Sequence, residues 1–571
     1  MKLTTLFLLL TTLATAQTAS FSDVAPQVGV DATGRSYGIS AGDFDNDGRE
    51  DWYISRHLGP NLLYRNLGNG TFQELGAQRG INYAGDTFMS LWVDIDGDGD
   101  LDLYLGNRNE TNRLYRNDEG YFTDISTAAG IAAYDYHTRA IVAADVDADG
   151  DVDLYAANLN AQNELYLNDG NGTFTEYTIQ SGAVDEQIAM AAVFFDYDND
   201  GLQDLYLVHD NNQPNMLYRN MGSTFFANVA EQAGANIAAN GMGVDVGDIN
   251  NDGWLDLYVT NLYENNLLLN LGPDENGVVR FQDISATAGV DDLGMGWGTT
   301  FLDYDNDGFL DIYCVNDSNF SPLPNLLYRN RGDLSFELVS EGTVLESMNG
   351  GYGTIANDFN NDGQLDLFVC NAGTNEANEL FLNEEENDHH YLKVRLRSAI
   401  ESNTHYIGAR LRLTTNEGMV LTREINAGMG FVSQNSTTVH FGLGASSGIQ
   451  SLEIYPSGSD GIAYLENLEM DKTYLIEDLQ NLTVPTRELA ELPEFELLSN
   501  PVEDRLVLRL PAGFPAVEQV LVSDLAGHSF PMEWMGNRSS MIDVRSLPAG
   551  LYQVALLTSE GMAVRKFVKL Q

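Results

Sequence analysis

The sequence predicts an all-β protein: a seven-bladed β-propeller, followed by a β-rich module and a C-terminal β-sandwich. Three observations point there. An aspartate-rich loop, first seen as Asp43-Phe44-Asp45-Asn46-Asp47-Gly48 with Asp51 four residues beyond Asp47, occurs seven times. The copies start at Asp43, Asp94, Asp145, Asp196, Asp248, Asp303 and Asp358, so successive starts lie 51, 51, 51, 52, 55 and 55 residues apart, the spacing of a repeat protein. Each loop is followed by a strand of period two (DWYIS, DLYLG, DIYCV), an NxLYxN strand and, for six of the loops, a strand opening on phenylalanine. With the strand that enters the loop, this makes four strands per unit, and four-stranded units of about 50 residues stack as propeller blades.

Residues 1–16 carry the pattern of an export signal: Lys2, the short apolar run LFLLLTTLA, and Ala14-Thr15-Ala16 before Gln17. The run is shorter than the roughly 20 residues a membrane span needs, and no later stretch qualifies, so no transmembrane segment is expected. The propeller is assigned to residues 17–383. Its phenylalanine strands begin at Phe72, Phe122, Phe174, Phe226, Phe281 and Phe336, and none follows Asn383. The orphan copy stands at the front, Phe21-Ser22-Asp23-Val24, so the N-terminal strand is expected to complete blade seven and close the ring.

The loops wrap oxygens around a hard cation, with alternating carboxylates and a glycine for the sharp turn. The expected ligands are Asp43, Asp45, Asp47 and Asp51; Asp94, Asp96, Asp98 and Asp102; Asp145, Asp147, Asp149 and Asp153; Asp196, Asp198, Asp200 and Asp204; Asp248, Asn250, Asp252 and Asp256; Asp303, Asp305, Asp307 and Asp311; and Asp358, Asn360, Asp362 and Asp366. About seven calcium ions are implied, one for each loop. The formal charge of -55 argues against nucleic acid, which needs a basic footprint, and part of it is assigned to these loops. Cys314 and Cys370, the only cysteines, fall on opposite sides of equivalent strands and are expected to be buried free thiols.

On these motifs residues 17–383 resemble the FG-GAP or VCBS type of calcium-loop propeller found in integrin heads and many bacterial surface proteins. An EF-hand shares the DxDxDG start but needs Glu at loop position twelve, where the first copy has Ile54. Residues 384–480 present, in order, HYLKVRLRS, IGARLRLTTNEG, REINAGMGFVSQNS, TVHFGLG and LEIYPSG, and resemble the ASPIC/UnbV domain that follows such propellers in cartilage-acidic-protein-like chains. Residues 481–493 read as a linker. Residues 494–571, with Asn500-Pro501, DLAG at 524–527, LPAGLY at 547–552 and the ending VRKFVKL, resemble the type A sorting domain of the type IX secretion system of Bacteroidetes. That resemblance implies the secretion machinery as a partner and a secreted or outer-surface location in a Bacteroidetes-like bacterium.

Gly38-Ile39-Ser40-Ala41-Gly42 fits GxSxG, but it is the strand entering the first loop, whereas a nucleophile elbow needs a strand-to-helix turn. There is no HExxH and no cysteine pair for zinc. No nucleophile and base are brought together by sequence logic, so the leading reading is a calcium-binding adhesion or binding protein for glycan or protein ligands. A calcium-dependent surface enzyme acting on polysaccharide and a scaffold without ligand stay open as alternatives. The strand leaving each loop ends on the opposite face at Arg56, Asn107, Asn158, His209, Asn261, Asn316 and Asn371. This ring, with Phe320 in the longest adjoining loop, is the expected ligand face; turn-capping asparagines are the competing explanation.

Overall fold

The computed structural model describes residues 18–570 except 69, 132, 399–401, 460, 478, 480–486, 489–495 and, near the C-terminus, 499–500, 503–504, 512–516, 525–528, 533–534, 538, 546 and 559–560. The export signal, most of the linker, Asn500 and most of the DLAG motif lie outside the described residues.

Seven blades of four antiparallel strands form the propeller, and the sheet of blade one gains a fifth strand from Ser433–Gln434. In blade one the four are Ser36–Gly42, Asp51–Arg56, Leu62–Asn66 and Phe72–Glu74, in that order from the axis outward. Period-two alternation serves both faces of each blade, because each packs on a neighbour; Trp52, Tyr53 and Ile54 are all buried. The inner strands of blades two to seven are Thr87–Val93, Thr138–Ala144, Ala189–Phe195, Gly241–Gly247, Gly296–Leu302 and Gly351–Asn357. Each touches the next, and the seventh touches the first. Phe21–Asp23 pairs with Glu379–Asn383, Phe21 opposite Asn383, so the N-terminal strand is the outermost strand of blade seven, as its sequence pattern implies.

The phenylalanine strands run into single helical turns that period-two reading passed over: Ala25–Val28, Gly76–Arg79, Thr178–Ser181, Ala230–Ala233 and Ser285–Ala288. Each ends on a glycine in the left-handed region, such as Gly29 at φ 84. The glycine that closes each turn, preceded by alanine at Ala233-Gly234 and Ala288-Gly289, is therefore a helix stop, and four residues are too few to show a helical period. Both cysteines are free and buried, as expected.

The second module packs two four-stranded sheets around an apolar core including Leu392, Leu411, Phe441 and Ile454. The C-terminal part forms two further four-stranded sheets over a core with Leu506, Val522 and Phe567. Between Val420–Glu424 and Val439–Gly444 the second module sends residues 425–436 into the propeller axis. All seven inner strands hold this plug. Ser433–Gln434 pairs in parallel with Ile39 and Ser40 of blade one, and the Gln434 amide accepts from Trp92 N (2.7 Å) and donates to Trp92 O (2.9 Å) in blade two. Ala143 N donates to Ala427 O, Asn426 Nδ2 donates to Phe194 O, and Val244 and Gly430 exchange both backbone bonds. Asn435 bonds Thr300 Oγ1 and Ala356 N in blades six and seven. The inner edge of every blade would otherwise leave such groups unpaired. Gly428, at φ 88, is required here: a Cβ would stand 2.4 Å from Ile141 O.

Candidate metal centres and ligand face

In five loops the first, third and ninth loop positions bring carboxylate oxygens within 4.8 Å of one another: Asp43, Asp45 and Asp51; Asp94, Asp96 and Asp102; Asp145, Asp147 and Asp153; Asp196, Asp198 and Asp204; and Asp303, Asp305 and Asp311. Backbone N–H groups build the arrangement. The first Asp accepts from the amide five residues on and, in most loops, from the amide four residues on, as Asp43 does from Gly48 N and Asp47 N, both at 2.9 Å; Asp94 takes Gly97 N in place of the latter. Outside the first loop, the ninth-position Asp accepts from the amide after the first Asp and from the last Asn of the NxLYxN strand, as Asp102 does from Ile95 N (2.9 Å) and Asn117 N (2.7 Å); Asp51 accepts from Asn66 N (2.7 Å). The fifth-position carboxylates, Asp47, Asp98, Asp149, Asp200, Asp252, Asp307 and Asp362, each cap the amide two residues on with Oδ1. They stand beside the trio and leave Oδ2 for other partners. In the loops at Asp248 and Asp358 the third position is Asn250 or Asn360, whose amide donates to Asp252 or Asp362.

The residues fit a hard cation. Buried oxygens of Asp45, Asp51, Asp96, Asp147, Asp198, Asp303 and Asp305 have no hydrogen-bond partner, a costly state for a carboxylate unless a cation faces it. Burial, then neighbouring carboxylates, pushes Asp47 up to about 8, Asp98 up to about 7 and Asp102 well above the ordinary range. Burial also raises Asp145 to about 7 and Asp94 to about 6. Arginines of the NxLYxN strand offset part of this charge. Arg65 reaches Asp45 (2.6 Å) and Asp47 (2.8 Å), and Arg219 and Arg329 repeat the contact on Asp198 with Asp200 and on Asp305 with Asp307.

The second module covers this face with cations. Lys393 Nζ is 2.5 Å from Asp358, Arg395 is 3.1 Å from Asp43 and 2.7 Å from Glu50, Arg410 is 3.0 Å from Asp196, and Thr404 donates to Asp94 at 2.6 Å. Sequence reading gave the module no chemistry, because these partners lie far away in the chain.

On the opposite face, Asn107, Asn158, His209, Asn261, Asn316 and Asn371 do end the strands that leave the loops, but all are buried. Their backbone amides are capped by Asn112, Asn163, Asn215, Asn265, Asn325 and Asn378, and their side chains donate into their own turns, as Asn107 Nδ2 does to Thr111 O. They are turn caps and present no polar ring to solvent. His209 is also spent, with Nδ1 on Pro214 O and Nε2 on Asp185 at 3.0 Å. Phe320 is exposed (65 %), and nearby loops add exposed Tyr263, Leu293 and Met348.

An FG-GAP-like repeat model matches residues 43–105, 94–156, 145–207, 196–259 and 303–369, windows that between them contain all seven loops. An ASPIC and UnbV model matches residues 399–482. The chain therefore carries FG-GAP-like repeats followed by an ASPIC and UnbV domain. Its curated relatives include cartilage acidic protein 1 of Mus musculus, 25% identical over 477 residues (76% of this chain, 73% of the relative). The Xenopus tropicalis protein of the same name is 27% identical over 500 residues (79% and 75%). Among solved structures, YCF48 from Cyanidioschyzon merolae aligns with TM-score 0.40 at 11% identity, covering 64% of this chain and 100% of that one. An Agrocybe aegerita protein that recognises non-reducing terminal N-acetylglucosamine aligns with TM-score 0.39 at 16% identity, covering 58% and 88%.

Proposed function

We propose that this is a secreted, calcium-stabilised binding or adhesion protein whose ligand, a glycan or a protein, docks on the face opposite the metal loops. The observation that carries the reading is the division of labour between the faces. The metal face is covered by the second module, while the far face keeps variable loops with exposed apolar side chains, among them Phe320 and Tyr263. Loops on a rigid scaffold are where binding is usually placed. Calcium is the cation that best suits all-oxygen, carboxylate-rich loops in an exported chain. Export through the N-terminal signal and then the type IX machinery, with a final place outside the cell or on its outer surface, rests on the terminal motifs. Among the described residues no helix is long and apolar enough to cross a membrane.

The test is a screen of glycans and matrix proteins against the intact protein, with calcium and after its removal. A hit should then weaken in a Phe320→Ala, Tyr263→Ala, Leu293→Ser variant of unchanged melting temperature. Full affinity in that variant would move the ligand off this face.

A further inference from the structure

The second residue of each inner strand forms a ring where the channel opens on the far face: Tyr37, Phe88, Arg139, Met190, Met242, Trp297 and Tyr352. In every blade the register shifts at this residue, a bulge that turns the side chain toward the axis. Six of the seven are apolar or aromatic and pack above the plug. Tyr37 stacks between Phe88 (4.4 Å) and Tyr352 (5.3 Å), Tyr352 stacks on Trp297 (4.6 Å), and Trp297 touches Phe431 of the plug.

Arg139 breaks the pattern. Its guanidinium lies 4.3 Å from the Phe88 ring centroid, its Nε is buried without a hydrogen-bond partner, and among the described residues no carboxylate pairs with it. The carboxylate that acts on Arg139, Asp210, does so at electrostatic range without an ion pair, and Asp86, which faces Tyr37, is engaged by His57 at 2.5 Å. Arg108, itself 4.0 Å from Asp86, and Arg35 add positive charge around Tyr37. A half-buried cation without a carboxylate partner carries a desolvation cost, and a methionine would fill the position as it does in blades four and five. Such a local misfit is expected where a ligand completes the site. The hydroxyls of Tyr37 and Tyr352, within the electrostatic reach of Arg139, make no hydrogen bond to any described residue. Both faces of each phenol ring are covered, so the mouth offers hydroxyls and a guanidinium rather than a stacking platform.

We infer that Arg139, flanked by the Tyr37 and Tyr352 hydroxyls, binds the carboxylate of a hydroxylated acidic sugar, a uronic acid, at the far-face mouth of the channel. The inference rests on the far-face reading above and gives it a ligand class. The guanidinium fork takes the carboxylate in two charge-assisted hydrogen bonds. Phenol hydroxyls both donate and accept, which matches the sugar hydroxyls beside that carboxylate.

The experiment titrates the intact calcium-loaded protein with sodium glucuronate, glucose and sodium acetate, read by tryptophan fluorescence, since Trp297 stacks on Tyr352, and by calorimetry. Glucuronate should saturate, with glucose and acetate at least ~10-fold weaker. Arg139→Met should weaken glucuronate at least ~10-fold while the melting temperature stays or rises, because an unpaired charge is replaced by the residue of two sister blades. Tyr37→Phe with Tyr352→Phe should fall between parent and Arg139→Met. No saturation by glucuronate, or parental affinity in Arg139→Met, overturns the site. Acetate binding as tightly as glucuronate overturns the sugar class. A macromolecular partner that depends on Phe320 but ignores both Arg139→Met and competing glucuronate overturns this inference and leaves the far-face reading intact; glucuronate binding without any macromolecular hit does the reverse.

Discussion

At Asn117 one amide serves three backbone groups. Nδ2 donates to Phe44 O of the preceding loop (2.8 Å) and to Leu101 O (2.9 Å), and Oδ1 accepts from Gly120 N (2.7 Å). The last Asn of every NxLYxN strand repeats the bond to the loop of the preceding blade, from Asn66 on Phe359 O to Asn383 on Tyr304 O. Asn117→Asp keeps the shape and loses both donors, leaving two buried carbonyls facing a carboxylate; it should cost about 3 kcal/mol in a denaturant melt. A change within error would show that water replaces the amide. The loop aspartates titrate in the opposite sense to a paired carboxylate. Burial raises Asp98 and Asp145 from the usual 3.8 to about 7, so in metal-free protein these groups favour folding when protonated, below about pH 4, and that contribution is lost as pH rises toward 7. With the metal bound they must be ionised, so the metal's own contribution grows over the same window. Metal-free protein should therefore melt higher at pH 5 than at pH 7.5; the reverse order would contradict the burial of these carboxylates.

At the scale of elements, the strand Phe21–Asp23 makes the ring a closed one. Removing residues 17–30 should expose the edge of Glu379–Asn383, lower the melting temperature and cause association in size-exclusion chromatography. A monomer that melts like the parent would show that blade seven does not need this strand. The plug works from the other end of the chain. Phe431 is fully buried between Trp297 and the channel wall, so Phe431→Ala should cost about 3–5 kcal/mol and loosen the second module, read as faster proteolysis after residue 383. The blades and loops were legible in the sequence because their signals are local and repeat: Asp-Gly spacing, period two, and an unmatched phenylalanine strand at the front. The plug was not. REINAGMGFVSQNS shows small and polar residues with no period, and its partners, such as Trp92 for Gln434, are 342 residues away. The far-face asparagines were misassigned for a different reason. A turn cap and a ligand ring call for the same residue, and only burial separates them. Arg139 was legible in principle, as the one charge in an aligned column of apolar residues, but the column itself appears only when the bulges are seen.

Over the whole molecule, carboxylates from all seven loops are buried on one face, and the module that covers it approaches with Lys393, Arg395 and Arg410 on the outer oxygens of the same carboxylates. Protein cations alone leave buried oxygens in five loops unpaired, as at Asp96 and Asp147. Metal, propeller and second module should therefore form one cooperative unit, with a single melting transition when calcium is bound and separate, lower transitions when it is not. Replacing Asp147 with Ala should lower the transition modestly, since blades contact mainly their neighbours. The most direct measurement of this account is scanning calorimetry of the intact protein at pH 7.5 in excess calcium and in excess chelator. The melting temperature should fall by more than about 10 °C on chelation, because many sites contribute together. The same melt in both conditions would contradict it.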